Sequence, residues 1–352
     1  MSDAEGVSRR RLLKGAAAAA SAPMLVSPSV LGEDSPNDRI TLGFIGMGKR
    51  SGSHLGTFLN ADGVQVVACC DVETKRLKRA RKRVEDHYSG DGGQYSGCDI
   101  YTDFRKVLAR DDIDGVVIST PDHWHAIPAI QAARAGKDIY CEKPLTRTIE
   151  EGQKMREAVE RNGVVFQTGS QQRSSYGGKF RFACEMVRSG RIGELKRIRV
   201  HIGGPSEPFT LPAEEPMDTL DWDFWVGPAY WTPYNSALCP DHTRGFPDWR
   251  QYLPYGGGGM CDWGAHHFDI AQWGLGMSRS GPVEVIPPEG HDVDKLTYRY
   301  SNGVIMTRGG GKYGRGVEFV GTDGRIQVER SNLRTDPPEL MKTPIGSDEV
   351  HL

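Results

Sequence analysis

The segment from Arg39 to Asp71 constrains the fold of this chain more than any other. An apolar run, Ile40 to Ile45, ends on Gly46-Met47-Gly48; a helical stretch follows, and a second buried run, Val64 to Cys70, ends on Asp71. A strand that turns on glycine into a helix has the geometry of a dinucleotide turn. Glycine lets the backbone turn sharply and approach a pyrophosphate, whose charge then meets the helix N-terminus. The third position of that fingerprint is Ser51, followed by Gly52, in place of glycine itself. Asp71 stands 25 positions after Gly46 (71 minus 46), close to the ~20 expected of a ribose-binding acid. A carboxylate there accepts hydrogen bonds from ribose hydroxyls and repels a 2′-phosphate. NAD is therefore expected in preference to NADP, with Lys75 or Arg76 the residues that could reach a phosphate instead.

The same grammar continues downstream. Gly115 to Ser119 is a third apolar run, ending at Thr120-Pro121, and Asp138 to Cys141 a fourth, ending at Glu142-Lys143-Pro144. A helical stretch, Pro128 to Ala135, is closed by Gly136. Thr148-Ile149-Glu150-Glu151 is a capping box that opens another helix, closed by Asn162-Gly163, before Val164 to Gln167 resumes a strand. Strands alternating with helices predict a doubly wound, parallel α/β sheet of the Rossmann type. After about Gly169 the pattern changes. Lys196 to Ile202 alternates like a half-buried strand, and two hairpins follow, one turning at Ser301-Asn302-Gly303 and one at Thr322-Asp323-Gly324. The second half is thus expected to be an α+β domain with an open, mostly antiparallel sheet. An irregular stretch, roughly Gly203 to Gly259, carries Trp222, Trp225, Trp231 and Trp249 and is too long to be idle. The chain length, 352 residues, allows two separate cores. The expected organisation is 1–37 leader and linker, 38–168 NAD-binding domain, and 169–352 substrate-binding and oligomerisation domain.

A formal net charge of -2 argues against a general nucleic-acid binder. The basic run Lys75 to Arg83 reads as a solvated helix face. Seven cysteines are scattered without a C-x-x-C pair, which suggests free, mostly buried thiols; Cys69 and Cys70 are expected on opposite faces of a strand. At the N-terminus, Arg9-Arg10-Arg11-Leu12-Leu13-Lys14 precedes Gly15 and the alanine run Ala16 to Ala20. A charged head, a short, mildly apolar middle and small residues predict a twin-arginine (Tat) export signal and a periplasmic protein. The apolar part is too short for a stable membrane span. Export in the folded state would let a cofactor loaded in the cytoplasm leave with its protein.

The motifs Thr120-Pro121-Asp122-His123-Trp124-His125, Glu142-Lys143-Pro144, Gln167 to Arg173, Asp221 to Ala229, Gly256 to Gly259 and Asp262-Trp263-Gly264-Ala265-His266 occur in that order. Together they resemble the glucose–fructose oxidoreductase / inositol dehydrogenase (Gfo/Idh/MocA) family, from Ile40 to about Val328. The resemblance implies that Lys143, Asp262 and His266 lie around a nicotinamide and a carbohydrate-like substrate. Oxidising a secondary alcohol needs a hydride acceptor and a group to take the hydroxyl proton. Asp262 and His266, four apart, would share one helix face, where the carboxylate raises the basicity of the imidazole and orients it. His266 is expected as general base, Asp262 as its partner or a substrate ligand, and Lys143 as stabiliser of alkoxide charge. Cofactor contacts are expected from Gly46, Gly48, Lys49, Arg50, Asp71, Thr120, Pro121, His125, Glu142 and Lys143. Substrate contacts are expected from Lys143, Gln171, Arg173, Trp225, Asp262 and His266. Gln171 and Arg173 have the alternative of tying the two halves together, and the tryptophans that of stapling loops to a core.

His123-x-His125 lacks a third ligand at convincing spacing, so no metal is expected. Members of the family generally continue past the last hairpin with further helical sequence, whereas here a Pro-rich, polar stretch leads to Leu352. Either a fragment or a shortened form is therefore expected, and a homo-oligomer built through the open sheet is expected where the second domain is intact. Three functions fit these features. The first is a sugar or polyol dehydrogenase with tightly held, recycled NAD. The second is an NAD-assisted glycoside hydrolase or lyase working through a transient keto-sugar, although no Gly-Gly-His-Gly signature is present. The third is a non-catalytic sugar-binding protein, against which the joint presence of Lys143, Asp262 and His266 speaks.

Overall fold

The structure is a computed structural model that describes residues 39–90, 93–240, 246–289, 293–312 and 314–352. The expected leader and linker lie outside the described residues. The first half runs β1 (Ile40–Ile45), α1 (Lys49–Leu59), β2 (Val64–Cys70), α2 (Thr74–Ser89), β3 (Asp99–Tyr101), α3 (Phe104–Leu108), β4 (Gly115–Ile118), α4 (Ala126–Arg134), β5 (Asp138–Glu142), α5 (Ile149–Asn162) and β6 (Phe166–Gly169). Its six strands are all parallel, in the order β3-β2-β1-β4-β5-β6. Strand order reverses between β1 and β4, which leaves a crevice at the carboxyl ends of the strands.

Helices cover both faces of this sheet, so its central strands are nearly continuous apolar runs. Cys69 packs on one side with Phe44, Leu55 and Val84, and Cys70 on the other with Ile45, Val116 and Ile118, as their adjacency predicted. Only β3 and α3 were not visible in the sequence, because three half-exposed residues make no apolar run. Helix α2 begins where the Glu73 carboxylate accepts the Lys75 and Arg76 N–H groups, 2.9 and 2.8 Å away. Leu77, Ala80 and Val84 face inward, and most of the basic run faces solvent. Arg76 is the exception and turns toward the crevice. The Thr148–Glu151 capping box opens α5 as expected, and Gly163, at φ 66°, closes it in the left-handed conformation.

The second half contains α6 (Lys179–Arg188), β7 (Leu195–Val200), α7 (Trp222–Val226), α8 (Gly258–Asp262), α9 (Gly264–Leu275), β8 (Glu284–Ile286), β9 (Thr297–Arg299), β10 (Ile305–Arg308), β11 (Val317–Gly321), β12 (Arg325–Val328) and β13 (Leu333–Asp336). The sheet order is β13-β12-β11-β7-β10-β9-β8, antiparallel except where β7 and β10 run together. The two expected hairpins are β9–β10 and β11–β12. Helices α6 and α9 cover one face over Phe180, Met186, Ile198, Ile270, Phe319 and Ile326. The Pro-rich tail is packed rather than loose: Arg191 donates to Glu349 at 2.5 Å and to the Thr343 and Pro344 carbonyls.

The long stretch between β7 and α8 stitches the halves together. Thr74 N–H donates to the Thr219 carbonyl at 2.9 Å, and Asp221 N–H to the Val72 carbonyl at 3.1 Å. Trp222 and Trp225 stack at 4.6 Å and, with Tyr234, Leu238, Trp249 and Tyr255, form a core of their own. No helix of the described residues is long and apolar enough to cross a membrane.

Candidate active site

A cleft of about 460 Å³ opens at the carboxyl ends of β1, β2, β4 and β5, and the second half supplies its opposite wall. Its first feature is the glycine turn. Gly46 has φ 86°, and a Cβ there would lie 2.8 Å from the Thr120 nitrogen, so only glycine fits. Gly48 is different. Its φ is ordinary and a Cβ would meet nothing within 4 Å, yet it caps α1 without any side-chain partner. The space a methyl would fill is the space a phosphate would need above the helix N-terminus.

Asp71 closes this end. It is buried, and its carboxylate accepts the Met47 N–H at 2.6 Å and the Glu73 N–H at 2.9 Å. Burial raises its pKa, against the pull of Arg76. Arg76 Nη1 lies 3.9 Å from Asp71, while its Nη2 donates to the Pro240 carbonyl at 2.9 Å. The hydroxyls of Ser119 and Thr120, both lining the cleft, are buried without a partner among the described residues. Orphaned donors, an uncapped helix start and an acid at the second strand fit a dinucleotide. Lys49, Arg50 and Pro121 also line this wall.

Lys143 leaves the end of β5 and crosses the cleft. Its Nζ donates to Asp262 Oδ1 at 2.5 Å and to the Asp262 carbonyl at 3.1 Å, joining the two halves where His266 also lines the wall. The three residues expected around the substrate thus line one cleft, with Asp262 paired to Lys143. The backbone stays helical through Trp263, between α8 and α9, so Asp262 and His266 remain one turn apart, but Asp262 is bonded to Lys143. Burial opposes ionisation of Asp262, yet Lys143 and Arg250 hold its pKa below the usual carboxylate range. Arg250 Nε lies 3.5 Å from the same oxygen. Burial, with Lys143 and Arg330 beside it, lowers His266 to about 3 in spite of Asp262, and its Nδ1 has no partner. The expected rise in histidine basicity is therefore reversed. His266 is a neutral imidazole.

The remaining expected residues have partners of their own. Glu142 lines the cleft, where it pairs with Arg50 at 3.0 Å and His54 at 2.6 Å, and accepts from Gln171 at 2.6 Å. Burial would raise its carboxyl, but His54 and Arg50 outweigh that and hold it at about 2. His125 lies with Nδ1 2.7 Å from the Pro144 carbonyl and Nε2 3.0 Å from the Thr120 carbonyl, so it pins two cleft-forming turns. Gln171 lines the cleft, with its amide donating to Tyr140 and Glu142. Arg173 forms a two-pronged pair with Asp269 of α9 and stays outside the cleft. Trp225 is nearly buried at the wall of the cleft, its ring stacked on Trp222 and its carbonyl accepting from Trp124 at 2.9 Å.

Among the cleft residues that escaped the sequence reading are Asp122, Tyr176, Arg250 and Arg330. Asp122 lay in a recognised motif; the others had no local signal. Burial raises the Asp122 carboxyl to about 8, against Arg250 and Lys143, so it is protonated at neutral pH.

Comparison with known proteins matches this arrangement. Residues 40–170 fit the Gfo/Idh/MocA model described as "oxidoreductase family, NAD-binding Rossmann fold", and residues 208–345 its "C-terminal alpha/beta domain". A "glycosyl hydrolase family 109 protein 1" of Shewanella sp. (strain MR-4) is 34% identical over 287 residues, 80% of this chain and 58% of that protein. Among solved structures, the WlbA dehydrogenase of Bordetella pertussis, with NADH and UDP-GlcNAcA, has a TM-score of 0.57 at 19% identity, covering 83% of this chain and 74% of that one. A 3-ketoreductase of Actinomadura kijaniata, with NADP and TDP-benzene, has a TM-score of 0.57 at 20% identity, covering 82% and 75%.

Proposed function

The chain belongs to the Gfo/Idh/MocA oxidoreductase family, and from that premise we propose that it oxidises a secondary hydroxyl of a sugar, polyol or glycoside with a tightly held NAD. The observation that carries this reading is the 2.5 Å contact by which Lys143 of the first half meets Asp262 of the second, in the cleft that begins at the glycine turn. When bound, the nicotinamide supplies the hydride acceptor. Gly46, Gly48 and the start of α1 would hold its pyrophosphate, with the Ser119 and Thr120 hydroxyls as nearby donors and Asp71 as the acid for the ribose. Asp71 also favours NAD over NADP, because a 2′-phosphate would meet a carboxylate.

Asp262 fixes the Lys143 ammonium, which donates to the substrate oxygen and stabilises the charge that develops as its proton leaves. His266 lines the same wall and is the residue assigned to accept that proton in its neutral form; the burial and neighbouring cations that keep it neutral also lower its basicity, so it acts as a weak base. The twin-arginine leader belongs to the same reading: a folded protein exported with its cofactor needs no free NAD where it works. So do the domain division at about residue 168 and assembly through the open sheet.

A second reading is favoured by the 34% identical relative named for a glycosyl hydrolase family. There the same first step makes a keto-sugar, the neighbouring C–H becomes acidic, the glycosidic bond breaks by elimination, and the hydride returns after water adds. One experiment separates the two: NAD-loaded protein is given sugars and glycosides while cofactor absorbance and released product are followed. Lasting reduction supports the dehydrogenase, and cleavage without net reduction the hydrolase. Binding with neither would leave a sugar-binding protein and end both readings.

A further inference from the structure

We propose that Arg330 anchors an anionic group on the substrate, so that the sugar acted on is an acidic one bearing a carboxylate, sulfate or phosphate. This deepens the oxidoreductase reading and rests on it for the reaction.

Arg330 follows β12 and enters the cleft beside His266. Its guanidinium lies 4.6 Å from the Trp263 ring centroid and 5.0 Å from that of Tyr176. Contact with two rings holds the planar fork in place and leaves donor edges for a ligand with matching oxygens. Its Nε donates to Gln172 Oε1 at 2.9 Å, which sets the direction of the fork. Among the described residues no carboxylate lies within ion-pairing distance of it. A half-buried cation without an acid partner costs free energy that a bound anion would recover.

Most other charges of the cleft have a partner, and Lys49, at the exposed start of α1, lies over the Phe246 ring at the cofactor end. Lys143 and Arg250 share Asp262. Glu142 holds Arg50 and His54. Asp71 faces Arg76 at the ribose end. Asp122 is protonated, and Asp248, which also lines the cleft, is solvent-exposed. At the substrate end Lys143 and Arg250 share one carboxylate, and Arg330 has none within ion-pairing distance among the described residues. Its support is also unusual. Tyr176 has φ 59°, a left-handed conformation that bulky side chains rarely adopt, and Gly177 and Gly178 continue it at 66° and 69°. Backbone held in such a state is characteristic of ligand clamps.

The test uses NAD-loaded protein and matched sugars: glucose, glucuronate, glucose 6-sulfate and glucose 6-phosphate, with galactose and galacturonate as a second pair. Binding is measured by calorimetry and hydride transfer by single-turnover absorbance. The acidic member is expected to bind roughly tenfold tighter or better, as one charge-assisted hydrogen-bonded pair allows, and the best acidic arm identifies the anion. Arg330→Met should bring the acid-to-neutral ratio to about one, and Arg330→Lys should keep part of it; if the first variant melts early, the second gives the reading. Neutral sugars that bind as tightly as their acidic partners, or a ratio untouched by either variant, would overturn the proposal. Hydride transfer from neutral sugars without an acid preference would leave the oxidoreductase reading standing alone. Arg330-dependent binding of acids without any hydride transfer would keep the anion site and remove that reading.

Discussion

Replacing Lys143 by methionine removes the ammonium while keeping an unbranched side chain of similar reach. Two consequences follow, with different magnitudes. For the reaction, the loss is that of one preorganised donor to a developing oxyanion, which costs ~10²–10³ in turnover, or about 3–4 kcal/mol of barrier. For stability, the change leaves the Asp262 carboxylate without its 2.5 Å partner. Breaking a fully buried pair costs about 3–5 kcal/mol. Here the Asp262 side chain is 24% exposed and Arg250 remains 3.5 Å away, so about 1–2 kcal/mol is expected. Removing the charge also releases one of the influences that depress His266, whose pKa should rise. The assay has three parts: single-turnover reduction of bound NAD, NAD affinity by fluorescence, and thermal melting. The expected pattern is turnover down by that factor, NAD affinity kept, and melting lowered by a few degrees. Adding Asp262→Asn should restore most of the stability and none of the turnover. Undiminished turnover in Lys143→Met would remove the residue from the mechanism. Loss of NAD binding together with turnover would make its role one of holding the cofactor.

Gly46→Ala should destabilise by about 1–3 kcal/mol, because its φ is 86° and the new methyl would strike the Thr120 backbone. Gly48→Ala should melt like the parent but bind NAD more weakly, since the methyl enters open space where a phosphate belongs; equal NAD affinity would mislocate the pyrophosphate. His123 and His266 are lowered to about 3 and His267 to about 4, each chiefly by burial. Their stabilising contribution is complete above the unfolded value of about 6.5 and is lost as pH falls from there toward 3–4. Denaturant titrations should show that decline, while kcat/KM should lack an inflection near 6.5 from His266. Asp122, raised to about 8, has the opposite sign: its contribution is present at low pH and fades between the unfolded value of about 3.9 and 8. Asp122→Asn should therefore gain melting temperature relative to the parent at pH 8 more than at pH 5, and an equal difference at both would refute a buried titrating carboxyl.

The fold was legible because its signals are local and periodic. A strand buried on both faces must be apolar throughout, and β1, β2, β4 and β5 announced themselves that way; the glycine turn, the Thr148 capping box and the two hairpins are each written in a few adjacent residues. β3 was missed because three residues at a half-exposed edge carry no such pattern. The second sheet was read as mostly antiparallel, yet the parallel pairing of β7 with β10 joins segments about a hundred residues apart, which no local turn specifies.

What the sequence determined by itself is the inventory: a glycine turn followed by an acid, and Lys143, Asp262 and His266 as residues of one cleft. Which of these pair was decided only by packing. Local spacing put Asp262 beside His266, but the crossing of Lys143 from the other half gave the carboxylate to the ammonium, and burial beside Lys143 and Arg330 lowers the imidazole. The same holds for Glu142, claimed by Arg50 and His54, and for Arg330, seated on rings from Tyr176 and Trp263 far away in the chain. Helix and turn preferences act over a few residues and are visible in order. Ion pairing and desolvation depend on distances through space, which exist only once the two halves have closed on each other.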